Sequence, residues 1–194
     1  MFCLETPRLL LRRLSAADFS ALCKILQDPE VMYAYEHAFS DQEVLDWLNK
    51  QQRRYHEDSF GLWAVLLKET EALIGQCGIT LQAYEGRMVP EIGYLFRKDC
   101  WHRGYATEAA SACREYAFAT LNLPEVYAII RDSNFPSQRV ARRLGMQPCG
   151  RLLKHYYGMD MPHLVFSVCN PSFSVSPSHD SPPNAAAENC STER

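Results

Sequence analysis

The amino-acid sequence predicts an α/β protein in which helices flank one mixed sheet. Three observations carry this prediction. Short apolar runs of strand length alternate along the chain with segments whose apolar residues recur at the spacing of a helix face. Capping residues, glycines and prolines separate these segments. The predicted order is one strand, two helices, three strands, a helix, a strand, a helix and two strands, which is typical of layered helix-and-sheet domains.

The first third of the chain contains the first strand and two capped helices. Leu9-Leu10-Leu11 begins the strand, and Ser15 can cap the next helix because its hydroxyl can accept hydrogen bonds from unpaired first-turn amides. Asp28-Pro29 ends that helix, since a residue before proline disfavours helical backbone. Ser40 and Glu43 form a capping box for the second helix. The apolar positions at helical spacing are Phe19, Leu22, Cys23 and Leu26, then Val44, Trp47, Leu48 and Tyr55.

The remaining elements follow from apolar runs and the turn residues between them. Glu85-Gly86 suits the turn between two strands, and Gly145 is placed to end the last helix. We expect strands over 60–67, 73–81 and 89–96, a helix over 103–121, a strand over 126–131, a helix over 137–144, and strands over about 147–157 and 163–169. Residues 1–169 are therefore predicted to form one domain.

Residues 170–194 differ in composition from that domain. They include four prolines and six serines, and Phe173 and Val175 are their only large apolar residues. Such a segment cannot bury enough apolar surface to offset the entropy lost on ordering. We therefore expect a disordered Pro/Ser-rich C-terminal tail.

Charge and composition exclude several classes of function. The 194 residues carry 20 basic and 23 acidic side chains, so the chain has no net attraction for a phosphate backbone and nucleic-acid binding is not expected. No run approaches the roughly 20 apolar residues of a membrane-spanning helix, and 1–6 lacks the pattern of a signal peptide. The eight cysteines lack Cys-x-x-Cys pairs and zinc-ligand spacing, which predicts reduced thiols in a cytoplasmic protein without a metal.

Residues 94–108 form the segment most informative for function. A predicted strand ends there, a short loop follows, and a helix begins at Arg103-Gly104. The first amides of a helix have no intrahelical partner and carry partial positive charge, so they can bind an anion. Gly104 and Ala106 keep this backbone accessible, while Arg103 and Thr107 could add side-chain donors. The same pattern, taken alone, also suits tight packing without a ligand.

Three blocks of the sequence resemble the GNAT acyltransferase superfamily, and the likeness covers about residues 4–169. The segment from Trp101 to Ala106 is similar to motif A, Gln/Arg-x-x-Gly-x-Gly/Ala, which binds the pyrophosphate of acetyl-CoA. Trp101 replaces Gln or Arg, as is common in the branch resembling the ribosomal-protein N-terminal acetyltransferases RimJ and RimL. The first block, Thr6-Pro7-Arg8-Leu9, resembles the family's opening strand. The second block contains Glu91-Ile92-Gly93-Tyr94 and Gly104-Tyr105-Ala106-Thr107-Glu108-Ala109, and the third contains Asn134-Phe135-Pro136-Ser137 and Leu144-Gly145-Met146.

The resemblance implies a GNAT-type fold with a mixed, mostly antiparallel sheet that splays beside the 89–96 strand. Main-chain groups near the end of that strand would bond the pantetheine amides, and amides at the following helix start would hold the pyrophosphate. No metal is implied, because backbone amides meet the phosphate charge. The residues implied to bind the cofactor are Leu95, Phe96, Arg103, Gly104, Tyr105, Ala106 and Thr107, with Asn134 and Ser137 on the far side of the channel.

Acetyl transfer to an amine needs a base for the amine and benefits from an acid for the leaving thiolate. Glu91 is the candidate base, because a carboxylate among apolar strand residues tends towards a raised pKa and could take the proton through water. A structural hydrogen bond or a solvent-facing position is the alternative for Glu91. In many superfamily members, a tyrosine seven residues after the motif asparagine acts as the general acid that protonates the thiolate. This chain has Ala141 at that position. The proton for the thiolate must therefore come from another group or from water. Ser137, Tyr156 and Tyr157 are the candidate acids, and cofactor packing is the alternative for Ser137.

The sequence therefore predicts an acetyl-CoA-dependent N-acetyltransferase that acts by direct attack of a primary amine in a ternary complex. The acceptor is a protein N-terminus or a small molecule such as a polyamine, an amino acid or an antibiotic. A module that binds a CoA thioester without turnover is the second hypothesis, which Ala141 keeps open. We expect a monomer or homodimer, with neither a nucleic-acid nor a membrane partner.

Overall fold

The fold is one sheet with helices packed on it, described by a computed structural model over residues 2–156 and 158–173. The side chains of Phe2, Cys3 and Tyr156 lie outside this description. The described part of the chain contains eight strands and four α-helices. None of these helices is both long and apolar enough to cross a bilayer.

The elements follow the predicted order, with one additional strand at the start. The first half contains β1 (Phe2–Glu5), β2 (Leu9–Arg12), α1 (Phe19–Leu26), α2 (Asp41–Glu57), β3 (Leu62–Leu67), β4 (Leu73–Tyr84) and β5 (Arg87–Phe96). The second half contains α3 (Tyr105–Ala119), β6 (Glu125–Arg131), α4 (Phe135–Arg143), β7 (Gln147–Tyr156) and β8 (Met159–Cys169). Short 3-10 turns lie at Ala16–Asp18, Tyr33–Tyr35 and Lys98–Cys100.

Two strands differ from the prediction. β1 is missing from it, because this edge strand forms through its pairing with β2. β8 begins at Met159, four residues before the predicted start at 163, because it pairs with β7 up to the turn between them. Strand pairing of this kind is a tertiary contact, so the local pattern of residues 159–162 does not reveal it.

Two helices also begin elsewhere than predicted. α3 begins at Tyr105 rather than Arg103, because Gly104 has a φ of 82° and lies outside the helix as its N-cap. α4 begins at Phe135 rather than Ser137, because Asn134 caps it: its side chain accepts a hydrogen bond from the Ser137 amide. The residue that caps the helix start lies one position from the predicted start in α3 and three positions from it in α4.

The sheet is open and mostly antiparallel, as predicted. Its strands, within the described residues, follow the order β1-β2-β3-β4-β5-β6-β8-β7. β5 and β6 are parallel and their described register is the one pair Glu91–Tyr127, whereas β4 and β5 pair from Gly75–Phe96 to Tyr84–Arg87. β5 and β6 therefore separate after Glu91, which confirms the predicted splay beside the 89–96 strand.

Small side chains allow α3 to lie close to the sheet. Ala109, Ala110, Cys113 and Ala117 are fully buried where α3 packs on β4 and β5. The sulfur of Cys113 lies 3.6 Å from that of Cys77 on β4. This close approach fixes the start of α3 beside the carboxyl end of β5, where the sheet splays.

The first residue of the predicted tail, Asn170, is anchored to α3 and to the loop that precedes β6. Asn170 is buried, and its side-chain amide donates to the carbonyls of Phe118 at 3.4 Å and Leu123 at 3.1 Å. Residues 174–194 of the predicted tail lie outside the described residues. The boundary between domain and tail stays a prediction.

Candidate active site

The loop before α3 presents the first amides of the helix at the protein surface. The indole of Trp101 donates to the carbonyl of Phe96 at 2.9 Å, which ties the loop to the end of β5. His102 and Gly104 both have positive φ, at 60° and 82°, and turn the chain sharply into the helix. The first described intrahelical bond runs from the Glu108 amide to the Gly104 carbonyl at 3.0 Å. The amides of 105–107 precede it and are therefore available to an anion.

A clasp of three residues, Thr6, Arg8 and Glu108, holds this helix start against the beginning of β2. The Glu108 carboxylate accepts from the Thr6 hydroxyl at 2.7 Å, the Arg8 amide at 2.9 Å and the Arg8 Nε at 2.6 Å. Burial raises the pKa of Glu108, but these hydrogen bonds outweigh it, so the pKa lies below its ordinary value. The Arg8 guanidinium also donates to the Arg103 carbonyl at 3.0 Å and lies 4.5 Å from the centre of the Tyr105 ring.

Arg8 is a site residue that the sequence analysis missed. It appeared there in the Thr6-Pro7-Arg8-Leu9 block as part of the opening strand, with no role in the site. Its Nη2 lies 3.5 Å from the position that a Cβ on Gly104 would occupy. Arg8 therefore brings a positive charge to the same corner as the amides.

The main chain of β5 offers hydrogen-bonding groups to the splay. The Arg97 amide donates to the Ile74 carbonyl of β4 at 2.9 Å. Since hydrogen-bonding direction alternates along an antiparallel strand, the Leu95 main chain also faces β4, while those of Tyr94 and Phe96 face the splay. This geometry favours Tyr94 over Leu95 as the main-chain partner of a cofactor beside Phe96, and the assignment of Leu95 stays a prediction. The Leu95 side chain lines the cavity described below.

Glu91 lies at the point where β5 and β6 separate. Its Oε1 accepts from the Ile129 amide of β6 at 3.1 Å, and the Thr80 hydroxyl lies 3.5 Å from its Oε2. Burial raises the pKa of Glu91, opposed by the charge of Lys154, the Ile129 hydrogen bond and the charge of Arg54. Glu91 thus makes a structural hydrogen bond, which the sequence analysis gave as the alternative to its role as a base. Its carboxylate also has a pKa above the ordinary value.

The start of α4 forms the opposite wall of the splay. Asn134 Oδ1 accepts from the Ser137 amide at 3.1 Å, and the Tyr94 hydroxyl donates across the splay to the Ser137 carbonyl at 2.8 Å. The Ser137 hydroxyl makes no hydrogen bond with the described residues. Ala141, at the position where related proteins have a tyrosine, is fully buried.

A cavity of about 400 Å³ opens from the splay. Glu91, Asn134 and Ser137, predicted from distant parts of the sequence, line it together. The predicted phosphate-binding residues Arg103, Gly104, Tyr105, Ala106 and Thr107 lie outside its lining, at the start of α3. Tyr156 ends β7, and its side chain, like all of Tyr157, lies outside the described residues.

Four basic side chains that the sequence analysis did not single out also line the cavity. They are Lys50 and Arg54 from α2, Arg131 from the end of β6, and Lys154 from β7. These residues are up to 104 positions apart along the chain, and no local motif connects them. No local signal in the sequence could have found them, because their proximity depends on the tertiary structure.

The splayed sheet with a glycine-turned helix start beside it defines the class of protein: this is the architecture of the GNAT acetyltransferases. A family model described as the acetyltransferase (GNAT) domain matches residues 8–147, and the chain belongs to this family.

Proteins with similar sequence and structure agree with this assignment. The chain is 38% identical over 144 residues to the uncharacterized protein YkkB of Bacillus subtilis (strain 168), covering 74% of this chain and 84% of that one. It is 33% identical over 145 residues to the uncharacterized N-acetyltransferase YnaD of the same strain, covering 74% and 82%. The crystal structure of a GNAT-family acetyltransferase from Bacillus anthracis matches with a TM-score of 0.75 and 26% identity, covering 88% of this chain and 99% of that chain.

Proposed function

We propose that this protein is an acetyl-CoA-dependent N-acetyltransferase in which a primary amine attacks the thioester directly in a ternary complex. One observation carries the proposal: the Glu91 carboxylate and the main chain of β5 border the splay, and the loop that Trp101 ties to the end of β5 leads directly to the unpaired first amides of α3. Membership of the GNAT family and a relative named as an N-acetyltransferase support it.

The chain's own groups fit a thioester that carries phosphates. The amides of 105–107 and the Arg8 guanidinium can receive a diphosphate, since both supply hydrogen-bond donors and positive charge. The main chain of Tyr94 and the amide of Phe96, whose carbonyl accepts from Trp101, can pair with an extended pantetheine arm in the way that a strand is added to a sheet edge. Acetyl-CoA, once bound, supplies the activated acyl group.

Glu91 is proposed as the base. The attacking amine forms a bond to the acyl carbon and loses one proton, which Glu91 takes through a water molecule. Its raised pKa brings the carboxylate closer to the range in which a base both holds and releases a proton near neutral pH. The Glu91 carboxylate reaches the cavity through the splay, because within the described residues β6 does not pair with β5 beyond this position.

Ser137 is proposed as the acid. When the carbon–sulfur bond breaks, its hydroxyl donates a proton to the departing thiolate, and solvent restores that proton. The hydrogen bond from Tyr94 to the Ser137 carbonyl holds the start of α4 in place for this step. Tyr156 remains the second candidate acid.

The finer assignments form part of the same proposal. We infer a protein N-terminus as the first class of acceptor, from the resemblance to the RimJ/RimL-like branch, and a small amine as the second. The cytoplasm is the proposed compartment. The resemblance is closest in the half of the chain that binds the cofactor, so the acceptor needs direct identification.

The test is acetyl transfer to a broad panel of amines at saturating acetyl-CoA. The panel contains peptides with varied first residues, amino acids, polyamines and aminoglycosides, and the readouts are thiol release and the mass of the product. We expect thiol release above background together with a singly acetylated acceptor. Tight binding of acetyl-CoA without thiol release for any amine would instead establish a non-catalytic binding module.

A further inference from the structure

The cavity beside Glu91 is strongly cationic. Lys50, Arg54, Arg131 and Lys154 line it, and Glu91 is the one acidic residue among its described lining. This contrasts with the chain as a whole, in which 23 acidic residues outnumber 20 basic ones. The lining of this cavity is therefore more basic than the chain as a whole.

Most of this charge is not neutralised by the protein. Within the described residues, Lys50, Arg54 and Lys154 form no ion pair. Arg131 pairs with Glu36, but its Nε is buried and has no hydrogen-bond acceptor in the described part of the chain. Burial, together with neighbouring cations that include Arg54 and Lys154, lowers the pKa of Lys50. A cleft that is lined mainly by one sign of charge attracts ligands of the opposite sign.

The anion in question is not the proposed diphosphate. That group has its own donors at the start of α3 and at Arg8, none of which lines the cavity. The basic side chains come instead from α2, β6 and β7, around the carboxylate that would deprotonate the acceptor.

We propose that the acceptor is an acidic amine, one whose body carries carboxylate or phosphate groups beside the amine that is acetylated. This inference rests on the proposed function and names its substrate class. The basic residues attract the anionic body, and their charge disfavours the protonated ammonium, which leaves more of the amine in its reactive neutral form. A polyamine, which carries several ammonium groups, is repelled by the same field.

The experiment compares acceptors that differ only in charge, with the full-length chain. The peptides Ser-Asp-Asp, Ser-Asn-Asn and Ser-Lys-Lys are tested beside aspartate, asparagine and spermidine, so that peptide and small-molecule sources are separated. We expect kcat/KM to be about tenfold or more higher for each acidic member than for its neutral partner, and to fall as salt is added.

Variants assign this preference to the cavity. The double variant Lys50→Gln/Lys154→Gln should reduce the preference to about threefold or less while leaving the KM for acetyl-CoA unchanged. Lys24→Gln on the exposed face of α1 is the matched control and should keep the preference. Equal or better use of neutral or basic acceptors overturns the inference, as does a double variant that weakens acetyl-CoA alone.

A binding measurement keeps this test independent of turnover. The acetylated peptide acetyl-Ser-Asp-Asp should bind the CoA-loaded protein more tightly than acetyl-Ser-Asn-Asn in calorimetry, and the double variant should abolish the difference. If no amine is acetylated but this difference is found, the proposed function fails while the anionic site stands. If the two peptides bind alike, the acidic acceptor is wrong whatever the activity.

Discussion

Glu91 combines a structural and a chemical task in one side chain. One of its oxygens receives the Ile129 amide that the splay leaves without a strand partner. The hydrogen bond helps to hold the parallel strands at the point of separation, while the cavity reaches the same carboxylate. Its position therefore explains both why a charged residue is tolerated within β5 and why its proton affinity is raised.

Replacing Glu91 with glutamine separates these two tasks. Glu91→Gln retains an oxygen that can accept from Ile129 but cannot take up a proton. We expect kcat/KM to fall by about 100-fold or more, measured by thiol release, with CoA affinity unchanged. Glu57→Gln, at the exposed end of α2, is the control for loss of a carboxylate. An unchanged kcat/KM for E91Q over the range of about pH 6–9 would remove Glu91 as the base.

The same variant has a predicted effect on stability. Because burial raises the pKa of Glu91, the folded protein binds that proton more tightly than the unfolded chain does. The ionised carboxylate therefore lowers the free energy of unfolding above the raised pKa, and this cost disappears as the pH falls to the ordinary carboxyl value. We expect E91Q to have a higher Tm than the wild type at neutral pH and an equal Tm in acid. A lower Tm at neutral pH would contradict the account.

Gly104 offers a test of the phosphate site with an internal control. Gly104→Ala and Gly86→Ala both place a side chain at positive φ, 82° and 74°, so each should lose about 1–2 kcal/mol of stability. Gly86 lies in the β4–β5 turn, away from the site. We expect the Kd for CoA in calorimetry to rise about tenfold or more for Gly104→Ala alone. Equal CoA affinity in both variants would show that the phosphates bind elsewhere.

The residues predicted from sequence fall into two groups according to what determines their positions. Glu91, Asn134 and Ser137 were predicted because each belongs to a local motif, and the fold brings them to one cavity. The main-chain direction of Leu95 could not be predicted, since it depends on the register with β4. Lys50 and Lys154 could not be found because their proximity is a product of tertiary structure.

At the scale of secondary-structure elements, the clasp of Thr6, Arg8 and Glu108 joins the start of α3 to the N-terminal strands. Three donors converge on a single carboxylate that is 15% exposed in its side chain. Without the clasp, the amides that are proposed to hold a diphosphate would lose the contact that fixes their position. Residues near the N-terminus of the chain thus hold the start of α3, about 100 positions later in the sequence.

Removing the charge of Glu108 should loosen this junction. Glu108→Gln loses one of the two charged oxygens that receive the clasp, and we expect a loss of about 2 kcal/mol near neutral pH. Glu115→Gln on the same helix is the control, because its carboxylate is 72% exposed and lies 4.0 Å from Arg114. Chemical denaturation measures both.

The stabilisation that the Glu108 carboxylate contributes should depend on pH in a defined direction. The folded-state pKa of Glu108 is lowered, so the carboxylate stabilises the fold above its ordinary pKa, and this contribution is lost as the pH falls through the lowered value. The wild type should therefore lose its advantage over Glu108→Gln on acidification. A difference that persists at low pH would show that packing, rather than charge, makes the contribution.

Element boundaries show what local sequence can and cannot predict. The capping box of α2 was correct, because Ser40 and Glu43 are sufficient by themselves to form it. β1 and the first part of β8 were missed, since both depend on partner strands that local sequence does not reveal. The helices α3 and α4 begin directly after Gly104 and Asn134, whose backbone is not helical, rather than at the predicted positions.

At the scale of the whole molecule, function depends on one interruption in the sheet. Seven strand junctions hold the eight described strands together, and the junction of β5 and β6 is the parallel one. Because these two strands share a single described pair, they leave a splay between them. The main chain of β5 forms one wall of this splay, and the start of α4 forms the other. The local sequence pattern predicted an α/β arrangement, but the splay itself came from the family resemblance, because strand divergence has no local signature.

A crystal structure of the full chain with bound CoA tests this central claim most directly. The account predicts the diphosphate within hydrogen-bonding distance of the 105–107 amides and Arg8, with the pantetheine arm paired to β5 and its sulfur end directed towards Glu91 and Ser137. A coenzyme bound with its diphosphate among Lys50, Arg54 and Lys154, and the start of α3 vacant, would contradict it.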